Sequence, residues 1–186
     1  MSETKFKGSP VLVAGEFITA GAEAPAFELV KSDLSPLRLS DLKGKRVVLN
    51  IFPSLDTSVC ATSVRKFNKL AASLPDTVVV AVSKDLPFAH ARFCTTEGIE
   101  NVVPASDFRA SGFDGAYGVL MADGPLAGLL ALADAKLRSR KLVAKGPHTI
   151  ISTGKYENVD IDAKNNKEKL ARMPEESLRP SWRQIQ

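Results

Sequence analysis

Two near-continuous apolar runs constrain this chain more than anything else in it: Val47-Val48-Leu49-Asn50-Ile51-Phe52 and Thr77-Val78-Val79-Val80-Ala81-Val82. Each has the length of a strand and is apolar almost throughout, the pattern of a strand buried on both faces. Pro53 stops the first run. Between them Val64, Phe67, Leu70, Ala71 and Leu74 recur at spacings of three and four, so residues 57–74 read as a helix with one apolar stripe. Asp56, Thr57 and Ser58 are all able to cap its first turn. A further helix is predicted from Pro87 to Glu97, closed by Gly98, and a short strand at Val102-Val103. Strand, helix, strand, helix, strand is the alternation of an α/β sheet with helices on its faces.

Lys5-Phe6-Lys7 and Val11-Leu12-Val13 flank Gly8-Ser9-Pro10, which predicts an N-terminal β-hairpin. Phe27 to Val30 reads as a strand, Ser35-Pro36 as a turn before Leu37-Arg38-Leu39, and Phe108 to Tyr117 as mixed helix and turn. Farther on, residues 133–143 have helical character. Residues 148–153 and 156–161 read as a hairpin across Gly154-Lys155, and residues 165–173 as a short helix stopped by Pro174. The expected organisation is one domain over residues 1–173, followed by an irregular tail over 174–186.

Composition excludes several function classes. No apolar run approaches the ~20 residues that span a bilayer, so no membrane partner is expected. The first ten residues are polar and lysine-bearing without an apolar core, so no signal peptide is read and a cytoplasmic location is expected, with the periplasm left open. The net charge of +4 suggests nucleic acid only until it is divided. Residues 1–130 carry 13 Lys and Arg against 14 Asp and Glu, whereas residues 131–186 carry 12 against 7. The surplus is spread among acids in the tail, where Tyr156 and Trp182 are the aromatics, so a solvated basic face is the better reading than a nucleic-acid surface. Two cysteines are too few for a disulfide scaffold, and with two histidines they lack zinc-ligand spacing. His90 and His148 read as core or solvent-facing residues, and no metal or other cofactor is expected.

The chemistry concentrates in Phe52-Pro53-Ser54-Leu55-Asp56-Thr57-Ser58-Val59-Cys60. Cys60 falls in the first turn of a helix that directly follows a central strand, where unpaired N–H groups and the helix dipole favour a thiolate. Thr57, three residues earlier, is placed to hydrogen-bond the sulfur or an oxygen bound beside it. Pro53 offers no N–H and can wall the sulfur from water. Residue 63 is Ser, so there is no Cys-x-x-Cys pair. Cys94 lies on the following helix, and on the residues alone it reads equally well as a small buried hydrophobe.

These motifs resemble the bacterial thiol peroxidases, the atypical two-cysteine branch of the peroxiredoxins on a thioredoxin-like fold. The resemblance rests on residues 49–57, on Val59-Cys60-Ala61 and Ser63-Val64-Arg65-Lys66-Phe67-Asn68, and on Asp85-Leu86-Pro87-Phe88-Ala89 and Arg92-Phe93-Cys94. It continues through Tyr117-Gly118-Val119 and Ala122-Asp123-Gly124-Pro125-Leu126 and covers roughly residues 1–130. It implies an α/β fold with a central mixed sheet flanked by helices. It further implies Cys60 as the peroxidatic cysteine, with Thr57 and Pro53 beside it, and Cys94 as the resolving cysteine. A Cys60–Cys94 disulfide within one chain, reduction by thioredoxin, hydroperoxide substrates and a homodimer complete the implied picture.

The departure from that family is equally specific. Position 132, where the family carries an arginine facing the sulfur, is Leu, followed by Ala133-Asp134-Ala135. A helix N-terminus contributes roughly 0.3–1 kcal/mol, whereas lowering a thiol from about 8.5 to about 6 takes roughly 3.4 kcal/mol, so a cation is the natural source of the remainder. Arg138, Arg140 and Lys141 are the candidates to restore one. Two readings therefore follow: a thiol-dependent peroxidase, or a thioredoxin-like redox-sensing or binding module whose turnover is impaired by loss of the arginine at Leu132.

Overall fold

The first apolar run forms strand β5 (Arg46–Ile51) and the second forms β6 (Thr77–Ser83), paired in parallel from Arg46 opposite Thr77 to Ile51 opposite Val82. Helix α1 (Ser58–Ala71) makes the crossover between them. After β6 comes helix α2 (Pro87–Glu97), with proline in its first turn and Gly98 in the left-handed conformation (φ 62°) at its end. Strand β7 (Val102–Ser106) then lies parallel to β6. These elements belong to a computed structural model that describes residues 2–6, 8–18, 22–109, 111–131 and 149–152.

Two earlier strands extend the sheet antiparallel, β3 (Glu28–Lys31) on β7 and β4 (Pro36–Arg38) on β3. On the opposite side β9 (Thr149–Ser152) pairs parallel with β5. Among the described residues the order is β4-β3-β7-β6-β5-β9, the mixed sheet with flanking helices that the sequence implied. The expected N-terminal hairpin is present as β1 (Ser2–Phe6) and β2 (Ser9–Ala14), and the two-residue strand β8 (Leu120–Met121) adds to β2. The strand predicted over 148–153 is thus found as β9. Its partner over 156–161, the helices over 133–143 and 165–173, and the domain boundary at 173 lie outside the described residues, as do Leu132, Arg138, Arg140, Lys141 and His148.

Alternation along β5 distributes its side chains between two apolar layers. Val47, Leu49 and Ile51 join Phe27, Leu29, Val80 and Val82 on one face, where short helix α3 (Phe113–Ala116) supplies Phe113. There Phe113 stacks on Tyr117 at 4.5 Å and meets the edge of Phe27 at 5.9 Å. Val48 and Phe52 point to the other face and pack with Cys60, Val64 and Phe67 of α1. Asn50 shares that face, and its Oδ1 accepts a hydrogen bond from Ser63 at 3.1 Å. Full burial of Leu49 and Ile51 contributes roughly 1.5–3 kcal/mol each.

The hairpin is joined to this core where two glycine turns meet. A Cβ on Gly118 (φ 63°) would run into the backbone carbonyl of Glu16. Gly118→Ala is therefore expected to lower unfolding free energy by about 3 kcal/mol or more in urea titration. Gly112→Ala shares a positive φ (84°) but has open space around the new atom, and is expected to cost only about 1 kcal/mol. Equal losses in the two variants would remove the close approach as the cause.

Candidate active site

Residues 52–57 connect the C-terminal end of β5 to α1, and β6 delivers residues 83–86 to the same edge of the sheet. Of the three possible caps the structure selects Thr57: its φ and ψ are extended, and its Oγ1 accepts from the Cys60 amide at 3.4 Å while donating to the Ser54 carbonyl at 3.1 Å. The hydroxyl is therefore fixed from both sides beside the cysteine. Pro53 is buried at the start of the turn. Cys60 is 1% exposed and packs against Phe52, Leu55, Val64 and Val79.

The electrostatics of this sulfur are divided. Burial pushes the Cys60 thiol above its ordinary value, and the Asp85 carboxylate acts in the same direction. The Thr57 hydroxyl and the backbone amides of Ser54 and Cys60 pull it down. No cation among the described residues contributes to its ionisation.

Cys94 is partly buried against the same apolar cluster as Cys60, and burial raises its thiol as well. Both cysteines are reduced. Their helices are fastened together away from the sulfurs. Arg65 Nε and Nη2 donate to the two oxygens of Glu97 at 2.8 Å each, and the guanidinium lies 5.9 Å from the Phe93 ring centre. Asn68 Oδ1 also accepts from the amides of Glu100 and Asn101 at 3.0 and 2.7 Å, just beyond α2. Between the Cys60 loop and α2 lies a cavity of about 260 Å³ lined by Leu55, Asp56, Ala89, Arg92 and Phe93 among others. Across it Arg92 and Asp56 approach to 3.8 Å, both largely exposed.

A polar cluster that the sequence reading passed over sits beneath the loop. Asp85 accepts from Ser54 Oγ at 2.8 Å and the Leu55 amide at 2.7 Å, and Ser83 Oγ donates to it at 2.8 Å. Ser106 Oγ donates to the Asp85 carbonyl. His90 Nε2 lies 2.9 Å from Ser83 Oγ. Since the single Ser83 proton goes to Asp85, the histidine must donate through Nε2–H, leaving Nδ1 as the buried atom without a partner. His90 is thus a core histidine of α2 rather than a partner for Cys94. The available signal was positional: Asp85 follows a buried parallel strand at the edge where Cys60 follows its neighbour.

Comparison with known proteins adds family context. The Redoxin family model matches residues 19–159. A thiol peroxidase of Corynebacterium glutamicum is 50% identical over 131 residues, 70% of this chain and 79% of that protein. One of Mycobacterium tuberculosis is 53% identical over 133 residues, 72% of this chain and 79% of that protein. The crystal structure of a peroxiredoxin-like protein from Aquifex aeolicus superposes with a TM-score of 0.62 at 39% identity, covering 69% of this chain and 75% of that one. A thiol peroxidase from Chromobacterium violaceum shares the fold over 91% of this chain and 95% of its own, at TM-score 0.66 and 23% identity.

Burial sets the His90 imidazole well below its ordinary value, at about 4. The unfolded chain takes up that proton near pH 6.5 and the folded chain only near 4, so the histidine supports folding above 6.5 and withdraws that support as pH falls toward 4. His90→Gln keeps an N–H donor toward Ser83 without a titrating ring. Between pH 7 and 4 the parent is expected to lose about 3 kcal/mol more unfolding free energy than this variant, measured by urea titration at each pH. Identical pH slopes would show that His90 ionises as freely in the fold as outside it.

Proposed function

Because the chain belongs to the Redoxin family and, within it, to the bacterial thiol peroxidases, we propose that Cys60 is its peroxidatic cysteine and Cys94 its resolving cysteine. The observation that carries this reading is Cys60 seated at the start of α1, its amide bonded to the hydroxyl of Thr57, in one apolar cluster with Cys94. The Cys60 thiolate attacks the nearer oxygen of a hydroperoxide. A sulfur–oxygen bond forms, the O–O bond breaks, and the departing alkoxide or hydroxide takes a proton to leave as alcohol or water. By turning its proton from the Ser54 carbonyl, Thr57 Oγ1 would steady the oxygen in flight, and buried Pro53 keeps bulk water from the sulfur. The Cys94 thiol then attacks the sulfenic sulfur, releasing water and closing a disulfide, and a dithiol reductant of the thioredoxin class restores both thiols.

Hydrogen peroxide and small organic hydroperoxides are the substrate class. Among the described residues no helix is long and apolar enough to cross a membrane. A cytoplasmic location, a homodimer, and a single domain over residues 1–173 belong to the same proposal. The pairing of β9 with β5 supports the domain reading, because it returns chain beyond residue 131 to the central sheet.

Closing the 60–94 loop is worth roughly 4 kcal/mol by the chain-entropy relation, before native strain. Both sulfurs start on helices, so the disulfide requires local unwinding. Peroxide-treated parent is expected to give an intrachain Cys60–Cys94 disulfide on non-reducing peptide maps. In Cys94→Ser a dimedone-type probe is expected to label Cys60. A disulfide between chains, or labelling that persists in Cys60→Ser, would contradict the assignment.

A second reading, a module with impaired turnover, is favoured by one observation: Cys60 is pushed up with no cation among the described residues to oppose it. Arg138, Arg140 and Lys141 decide between them. If one faces Cys60, its alanine variant is expected to raise the thiolate pKa, followed by absorbance near 240 nm, by about one unit or more and to slow peroxide reduction about tenfold. A parent value at or above the free thiol's, about 8.5, with no effect of the three variants, would favour impaired turnover.

A further inference from the structure

We propose that Asp85 is a positioning residue for the Cys60 loop, its carboxylate fixing the backbone of residues 54–55 and thereby the Thr57 hydroxyl on which Cys60 depends. The inference rests on the peroxidase reading of Cys60 and adds a residue to it.

The turn between β5 and α1 is exposed at Asp56 and Thr57, as is the start of α1 at Ser58 and Val59, so solvent-facing contacts do little to hold it. Its inward ties converge on Asp85. Oδ1 accepts from Ser54 Oγ at 2.8 Å and Oδ2 from the Leu55 amide at 2.7 Å. Ser54 in turn accepts at Oγ from the Asp56 amide at 3.1 Å and at its carbonyl from Thr57 Oγ1 at 3.1 Å. Thr57 Oγ1 accepts from the Cys60 amide. One continuous chain of donors and acceptors therefore runs from Asp85 to the first turn of α1.

The other end of this chain is equally fixed. Ser83 Oγ donates to Asp85 Oδ2 at 2.8 Å and accepts the Asp85 amide at 3.2 Å, while His90 Nε2 donates to the same Ser83 oxygen at 2.9 Å. Ser83 is fully buried and His90 is 1% exposed, so the support is rigid. Because His90 lies on α2 four residues before Cys94, the hub also ties the loop of one cysteine to the helix of the other. Three hydrogen bonds to one carboxylate, partly screened from water, are stronger than neutral ones.

Placing an anion near a cysteine that must ionise is otherwise counterproductive. Asp85 opposes thiolate formation, and its retention there is accounted for by geometry rather than by charge. The two effects have opposite signs in one variant, which makes them separable.

The test uses the full-length reduced protein as parent, Asp85→Asn and Ser54→Ala. Cys60 ionisation is followed by absorbance near 240 nm, and reaction with hydrogen peroxide by stopped flow at a pH where the thiolate is fully formed. Asp85→Asn is expected to lower the Cys60 pKa, through loss of the like charge, and yet to slow the fully ionised enzyme about tenfold. Ser54→Ala keeps the charge and is expected to slow it severalfold without lowering the pKa, which leaves the proposal testable should Asp85→Asn fail to fold. A fully ionised rate that is unchanged or faster in the variants overturns the proposal. Amide exchange at Leu55 and Cys60 is read in the same samples, with about tenfold loss of protection expected in Asp85→Asn. A parent inert to peroxide removes the peroxidase reading alone; the exchange result then decides for or against Asp85 as the loop's anchor.

Discussion

The register between β5 and β6 is the constraint on which the rest of the structure depends. Pairing Ile51 with Val82 brings both strands to an end at the same edge of the sheet. Everything chemical in the described chain hangs from that edge. The loop after β5 carries Pro53, Thr57 and Cys60, and the loop after β6 carries Asp85 before α2 delivers His90 and Cys94. A slip of one residue would exchange the two faces of β5, sending Val48 and Phe52 away from α1 and Leu49 toward it. It would also carry Asp85 away from Ser54 and Leu55. The apolar packing that stabilises the sheet is thus the same packing that aligns two loops distant in sequence.

At Cys60 opposing influences meet, and burial outweighs the rest. Burial in an apolar cluster favours the neutral thiol, whereas the helix start and the Thr57 hydroxyl favour the anion. The helix dipole supplies at most about 1 kcal/mol of this, less than one pKa unit. For the proposed peroxidatic role the remainder calls for a cation, and none among the described residues contributes.

Much of this was legible in the sequence because the signals were periodic or local. The β5 and β6 runs, the stripe of Val64 and Phe67 on α1, and the Pro87-to-Gly98 helix depend on burial and on capping residues within a few positions of one another. Thr57 and Cys60 were legible for the same reason, three residues apart at a strand-to-helix junction. The Ser54–Asp85–Ser83–His90 cluster was not, because each member is an ordinary polar residue whose meaning appears only when two strands are in register. The strand β8 escaped as well: two residues long, it is defined by its pairing with Val13 and Ala14 rather than by its own composition.

Holding and releasing make opposite demands on this site. In the proposed mechanism attack on peroxide needs the loop fixed, whereas disulfide closure needs at least one helix to open. The distribution of ties suits both. Beyond Cys94, the C-terminal end of α2 is riveted to α1 through Arg65–Glu97 and through Asn68, contacts made to a helix well packed on the sheet. Before Cys94, the N-terminal turn of α2 lacks a side-chain cap and leaves Leu86 and Phe88 exposed, so little beyond His90 and buried Pro87 secures it. The buried His90, bonded to Ser83, is therefore the tie that the start of α2 has to give up when that end opens. Unwinding there would withdraw the histidine from Ser83 and with it one support of the Asp85 hub, which links the proposed disulfide step to the Cys60 loop.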